Sequence, residues 1–238
     1  MKVDILAIGV HPDDVELSCS GTLMKHIDLG KTVGILDLTE GELGTRGSVE
    51  LRRKEAAAAA KIIGSLFRDN LGMADGFFKN DPEHQLQLIH KLRMYRPEIV
   101  LCNATSDRHP DHGRAAQLVS EACFYSGLRK IVTQADNAPQ AAWRPRAVYH
   151  YTQDRQQKPD MVIDISPYMN RKLEAIKAYA SQFFDPNSKE PVTPISTAQF
   201  LDFMKSRNAT AGRDIEADFA ETFLVERTIG VSNLFDLR

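Results

Sequence analysis

The chain has 238 residues, with 30 basic and 32 acidic side chains and a formal net charge of −2. A chain of this length can bury a substantial core without disulfides, so we expect one domain over residues 1–238. The balanced charge gives no electrostatic footprint for nucleic acid or an anionic membrane, and it favours a small-molecule partner by elimination.

Cysteine usage and the opening segment indicate a cytoplasmic protein. Cys19, Cys102 and Cys123 are odd in number and form no C-x-x-C pair, which fits a reducing compartment where they are small buried apolar residues. The segment VDILAIGV is too short for a membrane span and carries no signal-peptide cleavage region.

Strands and helices alternate along the chain. In chain order the apolar patterns predict a strand at Val3–Val10, a helix from Val15 to about Leu29, a strand at Thr32–Thr39, a helix at Ser48–Ile63, a strand at Leu66–Leu71, a helix at Pro82–Tyr95, a strand at Glu98–Ala104, a helix from Asp111 to about Arg129, strands at Ala147–Tyr151 and Met161–Ile165, and helices at Arg171–Phe184 and Thr197–Lys205. Local signals support the boundaries, because Gly30 can close the first helix, Ser48 can cap the second and Pro97 ends the third.

This order predicts the fold class. Strands alternating with helices imply right-handed crossovers and an open parallel sheet that is covered on both faces. We therefore expect an α/β, doubly wound (Rossmann-like), mostly parallel sheet with helices on both faces. The C-terminal part is less regular and contains the proline-bearing loop DPNSKEPVTP, so we expect an irregular C-terminal extension.

The turn after the first strand carries an unusual set of polar residues. It reads His11-Pro12-Asp13-Asp14-Val15-Glu16, at the strand end where open α/β sheets bind their ligands. A dinucleotide site would need glycines there to bring backbone amides to a pyrophosphate. One imidazole and two carboxylates would instead repel phosphate and attract a cation. Capping of the next helix would explain one aspartate but not the histidine.

A second polar turn follows the strand Glu98–Ala104. It reads Asp107-Arg108-His109-Pro110-Asp111-His112, and both turns belong to the same edge of one sheet. Together they supply the nitrogen and oxygen ligands of a catalytic zinc, which takes three protein ligands and keeps one position open. Structural zinc is usually held by four ligands rich in cysteine, and magnesium does not require several histidines. The two turns therefore favour catalytic zinc.

The motifs resemble a known family. H-P-D-D-x-E and H-P-D-H are similar to the two signature motifs of the PIG-L/LmbE superfamily of zinc-dependent N-acetylglucosaminyl deacetylases. The similarity continues through DLTEGELGTRG, VELRRKEA, EAIKAYASQF and AGRDIEADFAETF. Within the superfamily, D-R-H-P-D-H together with Y-A-S-Q-F most resembles the deacetylases of bacillithiol biosynthesis, which act on N-acetylglucosaminyl malate.

The resemblance implies roles for particular residues. It implies that one Zn²⁺ per chain is held by His11, Asp14 and His112. Asp13 would be the general base, and a protonated His109, with its ring oriented by Asp111, would stabilise the oxyanion. Arg52 matches a substrate-contacting arginine. The resemblance also implies a homo-oligomer, often a hexamer, and an amino-sugar substrate that releases acetate.

Several alternatives stay open. Arg108 could pair with a carboxylate on the aglycone, such as malate, or with Asp107 or another protein carboxylate. Glu16 could support a ligand histidine or only face the helix dipole, and Gln182 and Glu221 match family positions without a derivable role. The substrate could instead be an acetylated chitobiose or glucosaminyl inositol, and a non-enzymatic metal- or carbohydrate-binding module is the other alternative. The presence of Asp13 argues against that module.

Overall fold

The computed structural model describes residues 2–236 of the chain. The strands are β1 (Ile5–Gly9), β2 (Val33–Thr39), β3 (Phe67–Met73), β4 (Ile99–Cys102), β5 (Gln134–Ala135), β6 (Ala138–Pro139), β7 (Ala147–Tyr151), β8 (Met161–Asp164) and β9 (Ala220–Val225). The α-helices are α1 (Asp14–Ser18), α2 (Ser20–Asp28), α3 (Val49–Ile63), α4 (Pro82–Tyr95), α5 (Pro110–Tyr125), α6 (Met169–Lys177) and α7 (Phe200–Arg213). Among these residues, no helix combines the length and apolarity needed to cross a membrane.

The central sheet has seven strands in the order β3-β2-β1-β4-β7-β9-β8. The pairs β1–β2, β1–β4, β2–β3 and β4–β7 are parallel, whereas β9 runs antiparallel to β7 and β8. The strand order reverses between β1 and β4, and the carboxyl edge at such a reversal is where doubly wound sheets bind ligands. The predicted α/β fold with a mostly parallel sheet is confirmed.

Two apolar cores cover the two faces of the sheet. On one face, Leu6 and Ile8 of β1 pack with residues of α4 and α5 such as Leu88 and Leu118. On the other face, Ile5 and Ala7 of β1 pack with residues of α1, α2, α3 and α6. Because β1 is buried along its whole length, its sequence is continuously apolar rather than alternating. Strand β2 is buried as well, and its one charged residue, Asp37, pairs with Arg68.

The first predicted helix is two helices. The chain breaks at Cys19, whose φ of −139° and ψ of 9° are not helical. The carboxylate of Glu221 accepts hydrogen bonds from the backbone amides of Gly21 and Thr22 at 3.0 and 2.7 Å. A side chain from a distant strand therefore caps the start of α2, and local sequence gives no sign of that cap.

The C-terminal part is more regular than expected. Strand β9 inserts between β7 and β8 and has no counterpart in the predicted elements, because its sequence AETFLV mixes polar and apolar residues. Helix α6 ends at Lys177, before the predicted Phe184, and α7 continues to Arg213, beyond the predicted Lys205. The predicted irregular extension thus contributes one strand to the central sheet.

Candidate active site

The two polar turns lie side by side. The first follows β1 and the second follows β4, and these strands are parallel neighbours with Ile5 opposite Ile99. Helix α5 starts at Pro110, so its first turn carries the end of the second motif. Sheet topology alone therefore brings the two motifs together at the carboxyl edge.

The three predicted metal ligands meet at this junction. Oδ1 of Asp14 lies 3.3 Å from Nε2 of His112, and Oδ2 of Asp14 lies 3.8 Å from Nδ1 of His11. Two atoms bound tetrahedrally at about 2.0–2.1 Å from one ion lie about 3.3 Å apart. The spacing between Asp14 and His112 matches that of two ligands of one zinc ion, whereas His11 lies 3.8 Å from the other oxygen of Asp14.

Carboxylates behind the two imidazoles fix which ring nitrogen faces Asp14. Asp75 Oδ1 is 2.9 Å from Nε2 of His11, and Asp107 Oδ2 is 2.6 Å from Nδ1 of His112. Metal-binding histidines typically donate their second ring N–H to such a carboxylate, which sets the tautomer. Nδ1 of His11 and Nε2 of His112 are thereby left for an ion.

Four donors hold the Asp14 carboxylate. Oδ2 accepts from the backbone amides of Val10 and His11, both at 3.0 Å, and from Nδ2 of Asn103 at 2.9 Å. Oδ1 accepts from Nε2 of Gln153 at 3.0 Å. Oε1 of Gln153 in turn accepts from Asn103 and from the amide of Ala104. This network fixes both oxygens of the central ligand.

The electrostatics of the cluster suit a cation. Burial opposes protonation of His11, but hydrogen bonds to Asp111 and Asp75 outweigh it and raise the pKa of His11 to about 10. Burial likewise opposes protonation of His112, while the charge of Asp14 and the Asp107 hydrogen bond raise its pKa to about 9. The carboxylates therefore demand positive charge here, which a divalent ion supplies while leaving the imidazoles neutral.

Two overlapping groups of ligand atoms lie within 4.8 Å: His11, His109 and His112 in one, and His11, Asp75 and Asp111 in the other. Neither group contains Asp14. We favour the Asp14-centred set because Asp14 has oxygens directed towards both imidazoles, whereas Asp75 already engages the far nitrogen of His11. Two nitrogens and one carboxylate oxygen form a donor set that zinc accepts.

Asp13, the predicted general base, lies beside the ligands and lines the same cavity. Its burial raises its pKa, the charge of Arg52 opposes this and that of Asp14 adds to it, and the pKa reaches about 6. A carboxylate with that pKa is ionised at neutral pH and still accepts a proton readily. The backbone of Asp13 has a φ of 134°, a region that residues with a side chain rarely adopt.

Arg52, the predicted substrate contact, instead faces the base. Its Nη2 donates to Oδ2 of Asp13 at 2.6 Å and its Nε donates to the carbonyl of Pro12 at 3.2 Å. The guanidinium also lines the cavity. Arg52 thus holds the Asp13 carboxylate at the wall of the cavity.

The predicted relation between His109 and Asp111 is different in the structure. The Asp111 carboxylate accepts from the amide of Gly76 and from Arg114, whereas the Asp111 backbone amide donates to Nδ1 of His109 at 3.3 Å. Burial and the charges of His11 and His112 lower the pKa of His109. Because His109 caps helix α5 and its Nδ1 accepts from the Asp111 amide, the neutral form of the ring carries its proton on Nε2.

Arg108 lies at the rim of the site. Its Nε donates to Oδ2 of Asp154 at 3.0 Å, and both side chains are exposed. Arg108 was expected to pair either with a substrate carboxylate or with a protein carboxylate, and the structure shows a pair with a protein carboxylate.

The residues without an assigned role have structural partners. Glu16 pairs with Arg68 at 2.5 Å, Gln182 donates to the carbonyl of Arg46, and Glu221 pairs with Lys172 at 2.5 Å. The three cysteines are free and buried, as predicted.

The site opens into a cavity of about 420 Å³ lined by His11, Asp13, Asp14, Arg52 and His112, among others. A larger cavity of about 740 Å³ lies near the start of β7, at the opposite edge of the sheet. Its lining contains neither of the groups of possible metal ligands. Chemistry rather than size therefore identifies the smaller cavity as the candidate active site.

Sequence reasoning missed Asp75, Asn103 and Gln153, and it gave Asp107 no role towards His112. Asp75 follows β3, Asn103 follows β4 and Gln153 follows β7. The signal that could have found them is their position, since each polar residue comes just after a strand that ends at the same edge.

Comparison with known proteins identifies the family of the chain. The family model described as GlcNAc-PI de-N-acetylase matches residues 6–123, a segment that contains both polar turns. Diacetylchitobiose deacetylase of Thermococcus kodakarensis is 33% identical over 193 residues, covering 75% of this chain and 70% of that protein. A probable N-acetyl-alpha-D-glucosaminyl L-malate deacetylase 2 of Bacillus anthracis is 26% identical over 192 residues, covering 75% and 81%.

A solved structure matches nearly the whole chain. A conserved protein from Thermus thermophilus superimposes with a TM-score of 0.86 at 34% identity, covering 97% of this chain and 98% of that one. The similarity therefore extends well beyond the two motifs, into the C-terminal strand and helix.

Proposed function

The chain belongs to the GlcNAc-PI de-N-acetylase (PIG-L) family, and from this premise we propose that it is a zinc-dependent amidohydrolase that removes the acetyl group of an N-acetylglucosaminyl conjugate. One observation carries the proposal. The Asp14 carboxylate lies between His11 and His112, 3.8 Å from one imidazole nitrogen and 3.3 Å from the other, and Asp13 lines the same cavity. This arrangement supplies a metal site and a separate base, as hydrolysis of an unreactive amide requires.

The chain's own residues would perform the proton transfers. When bound, zinc supplies Lewis-acid activation of water and of the amide carbonyl. Asp13, held by Arg52 at 2.6 Å, takes the proton of the attacking water and later delivers it to the departing amine. His109 lines the same cavity, and because its Nδ1 accepts from the Asp111 amide, its Nε2–H would be the donor to the developing oxyanion.

The identity of the conjugate is the finer part of the proposal. N-acetylglucosaminyl malate is the substrate expected from the sequence motifs, and a deacetylase acting on it in Bacillus anthracis is among the relatives. Acetylated chitobiose is the alternative, supported by the more similar Thermococcus relative. The homo-oligomer and the cytoplasmic location expected from the sequence belong to the same proposal.

Mass spectrometry can test the activity directly. Protein loaded with zinc is incubated with N-acetylglucosaminyl malate, diacetylchitobiose and N-acetylglucosaminyl inositol, and each product is inspected for the loss of one acetyl group with release of acetate. We expect deacetylation of at least one conjugate and none after chelation of the metal. Absence of deacetylation of all three with fully loaded protein would contradict the proposed function.

A further inference from the structure

A groove continues the catalytic cavity towards helix α7. It has a volume of about 270 Å³, and its apolar lining consists of Pro194, Ile195, Phe200 and Phe203. Pro194 and Ile195 also line the catalytic cavity, as does Arg108. The groove therefore adjoins the space that a substrate bound at the candidate metal ligands would occupy.

The groove has no net charge. The charged residues that line it, within residues 2–236, are Arg108 and Asp154, which form an ion pair at 3.0 Å. The small space between groove and metal site adds Asp14, Asp107 and Arg207, and Arg207 donates to the carbonyls of Gln153 and Leu17. An anionic aglycone would therefore find no excess of positive charge.

Two phenylalanines line the groove, of which Phe200 is fixed by packing and Phe203 is exposed. The ring of Phe200 stacks on Phe183 with centroids 5.7 Å apart and planes 12° apart, so its position is set by packing. Phe203 is 49% exposed and presents its ring to the groove. Exposed aromatic rings at a binding site contribute apolar contact area and ring-face contacts to a ligand.

We propose that this groove is the aglycone subsite and that it selects uncharged aglycones with an apolar face, such as an aryl or alkyl group or a second neutral sugar. This inference rests on the proposed deacetylase function and narrows it. It also disfavours malate, because the guanidinium that would bind the malate carboxylate is already balanced by Asp154.

The first test compares substrates on the wild-type enzyme. Acetate release is measured for the phenyl, octyl and malyl glycosides of N-acetylglucosamine and for diacetylchitobiose. We expect kcat/KM to be about tenfold or more higher for the uncharged conjugates than for the malyl conjugate. The phenyl, octyl and chitobiose arms distinguish an aryl, alkyl or sugar aglycone. Higher efficiency on the malyl conjugate would overturn the inference while leaving the deacetylase function intact.

The second test removes the open aromatic ring. Phe203→Ala should raise KM for the preferred uncharged glycoside about tenfold, the order expected for loss of one aromatic contact. The matched control is Phe124→Ala, since Phe124 is 55% exposed on helix α5 but lines only the cavity at the opposite edge. An equal change in KM in both variants would overturn the assignment of the groove.

The third test changes the charge of the groove. Asp154→Asn leaves Arg108 without its partner carboxylate, so we expect the ratio of kcat/KM for the malyl conjugate to that for the phenyl glycoside to rise about tenfold. A ratio that stays unchanged would show that Asp154 does not exclude anions and would overturn the charge argument. No acetate release from any substrate by wild-type enzyme would instead contradict the proposed function itself.

Discussion

Two buried groups of charged residues differ in what surrounds them. Lys172 and Glu221 are buried, lie 2.5 Å apart and contact groups inside the protein, among them the carbonyl of Leu17 and the amides of Gly21 and Thr22. The positive charge of Lys172 is balanced by the negative charge of Glu221, and both side chains are shielded from solvent. We call this the closed pair.

The candidate metal cluster is neither complete nor closed. Its carboxylates outnumber its fixed cations, since Asp13, Asp14, Asp75, Asp107 and Asp111 face Arg52, Arg114 and titratable imidazoles. It also opens on a cavity. Buried charge alone therefore does not mark a functional site; an unbalanced charge next to accessible space does.

The largest expected effect follows from removing a ligand of the open cluster. His112→Ala should lose most bound zinc and, with it, measurable activity, because a three-ligand site cannot replace a missing imidazole. Elemental analysis and acetate release measure the two losses. His90→Ala, a histidine outside the site, is the control. Full zinc content in the His112 variant would remove His112 from the ligand set.

The next effect separates catalysis from metal binding within the same cluster. Asp13→Asn should retain zinc but lower kcat by about 100- to 10,000-fold, because the amide keeps its contact with Arg52 and cannot accept the proton of water. Steady-state kinetics with saturating zinc measure the loss. Near-normal turnover under those conditions would show that another group is the base.

Mutation of the closed pair should change the stability of the fold rather than catalysis. Glu221→Ala leaves Lys172 buried without its partner charge and removes the cap of α2, so the free energy of unfolding should fall by about 3–5 kcal/mol. Urea unfolding measures this change. Zinc per folded molecule should stay at the wild-type level.

A double variant provides the control for this stability loss. Lys172→Met combined with Glu221→Leu removes both charges and should recover much of the lost stability, because replacing a buried ion pair with apolar residues is often neutral. A double variant as unstable as the single one would show that the capping of α2, and not the uncompensated charge, dominates.

The smallest expected effect comes from removing one hydrogen bond to the predicted ligand Asp14. Gln153→Ala removes one of the four donors to its carboxylate and should weaken zinc binding by about 10- to 100-fold with little loss of fold stability. Competition with a chelator measures the affinity. Gln140→Ala, which removes a donor to the carbonyl of His90, is the matched control. Unchanged affinity would show that the other three donors suffice.

Much of the metal cluster could be predicted from sequence because its residues follow apolar strands. The runs around β1 and β4 indicate buried parallel strands, and that topology alone places His11 beside His112. Asp75 and Gln153 follow strands too, but their segments carry weaker apolar patterns, since β3 and β7 are only partly buried. Their polar residues therefore resembled ordinary loop residues.

The closed pair could not be predicted for a different reason. Glu221 and Gly21 are 200 residues apart, and β9, which carries Glu221, pairs antiparallel with both neighbours. No local pattern reports which distant backbone amide a carboxylate will cap. The predicted contact of the Asp111 carboxylate with His109 is absent for the same kind of reason, because that carboxylate accepts from the amide of Gly76, which is 35 residues away.

The backbone of Asp13 has a consequence for how the enzyme can change. With φ at 134°, this residue carries a conformational cost of about 1–3 kcal/mol that glycine would avoid. Asp13→Gly would relieve this strain, but it would delete the base and leave the buried guanidinium of Arg52 without its carboxylate. The ion pair with Arg52 therefore ties the strained residue to the stability of the fold, so that loss of the base does not simply stabilise the protein.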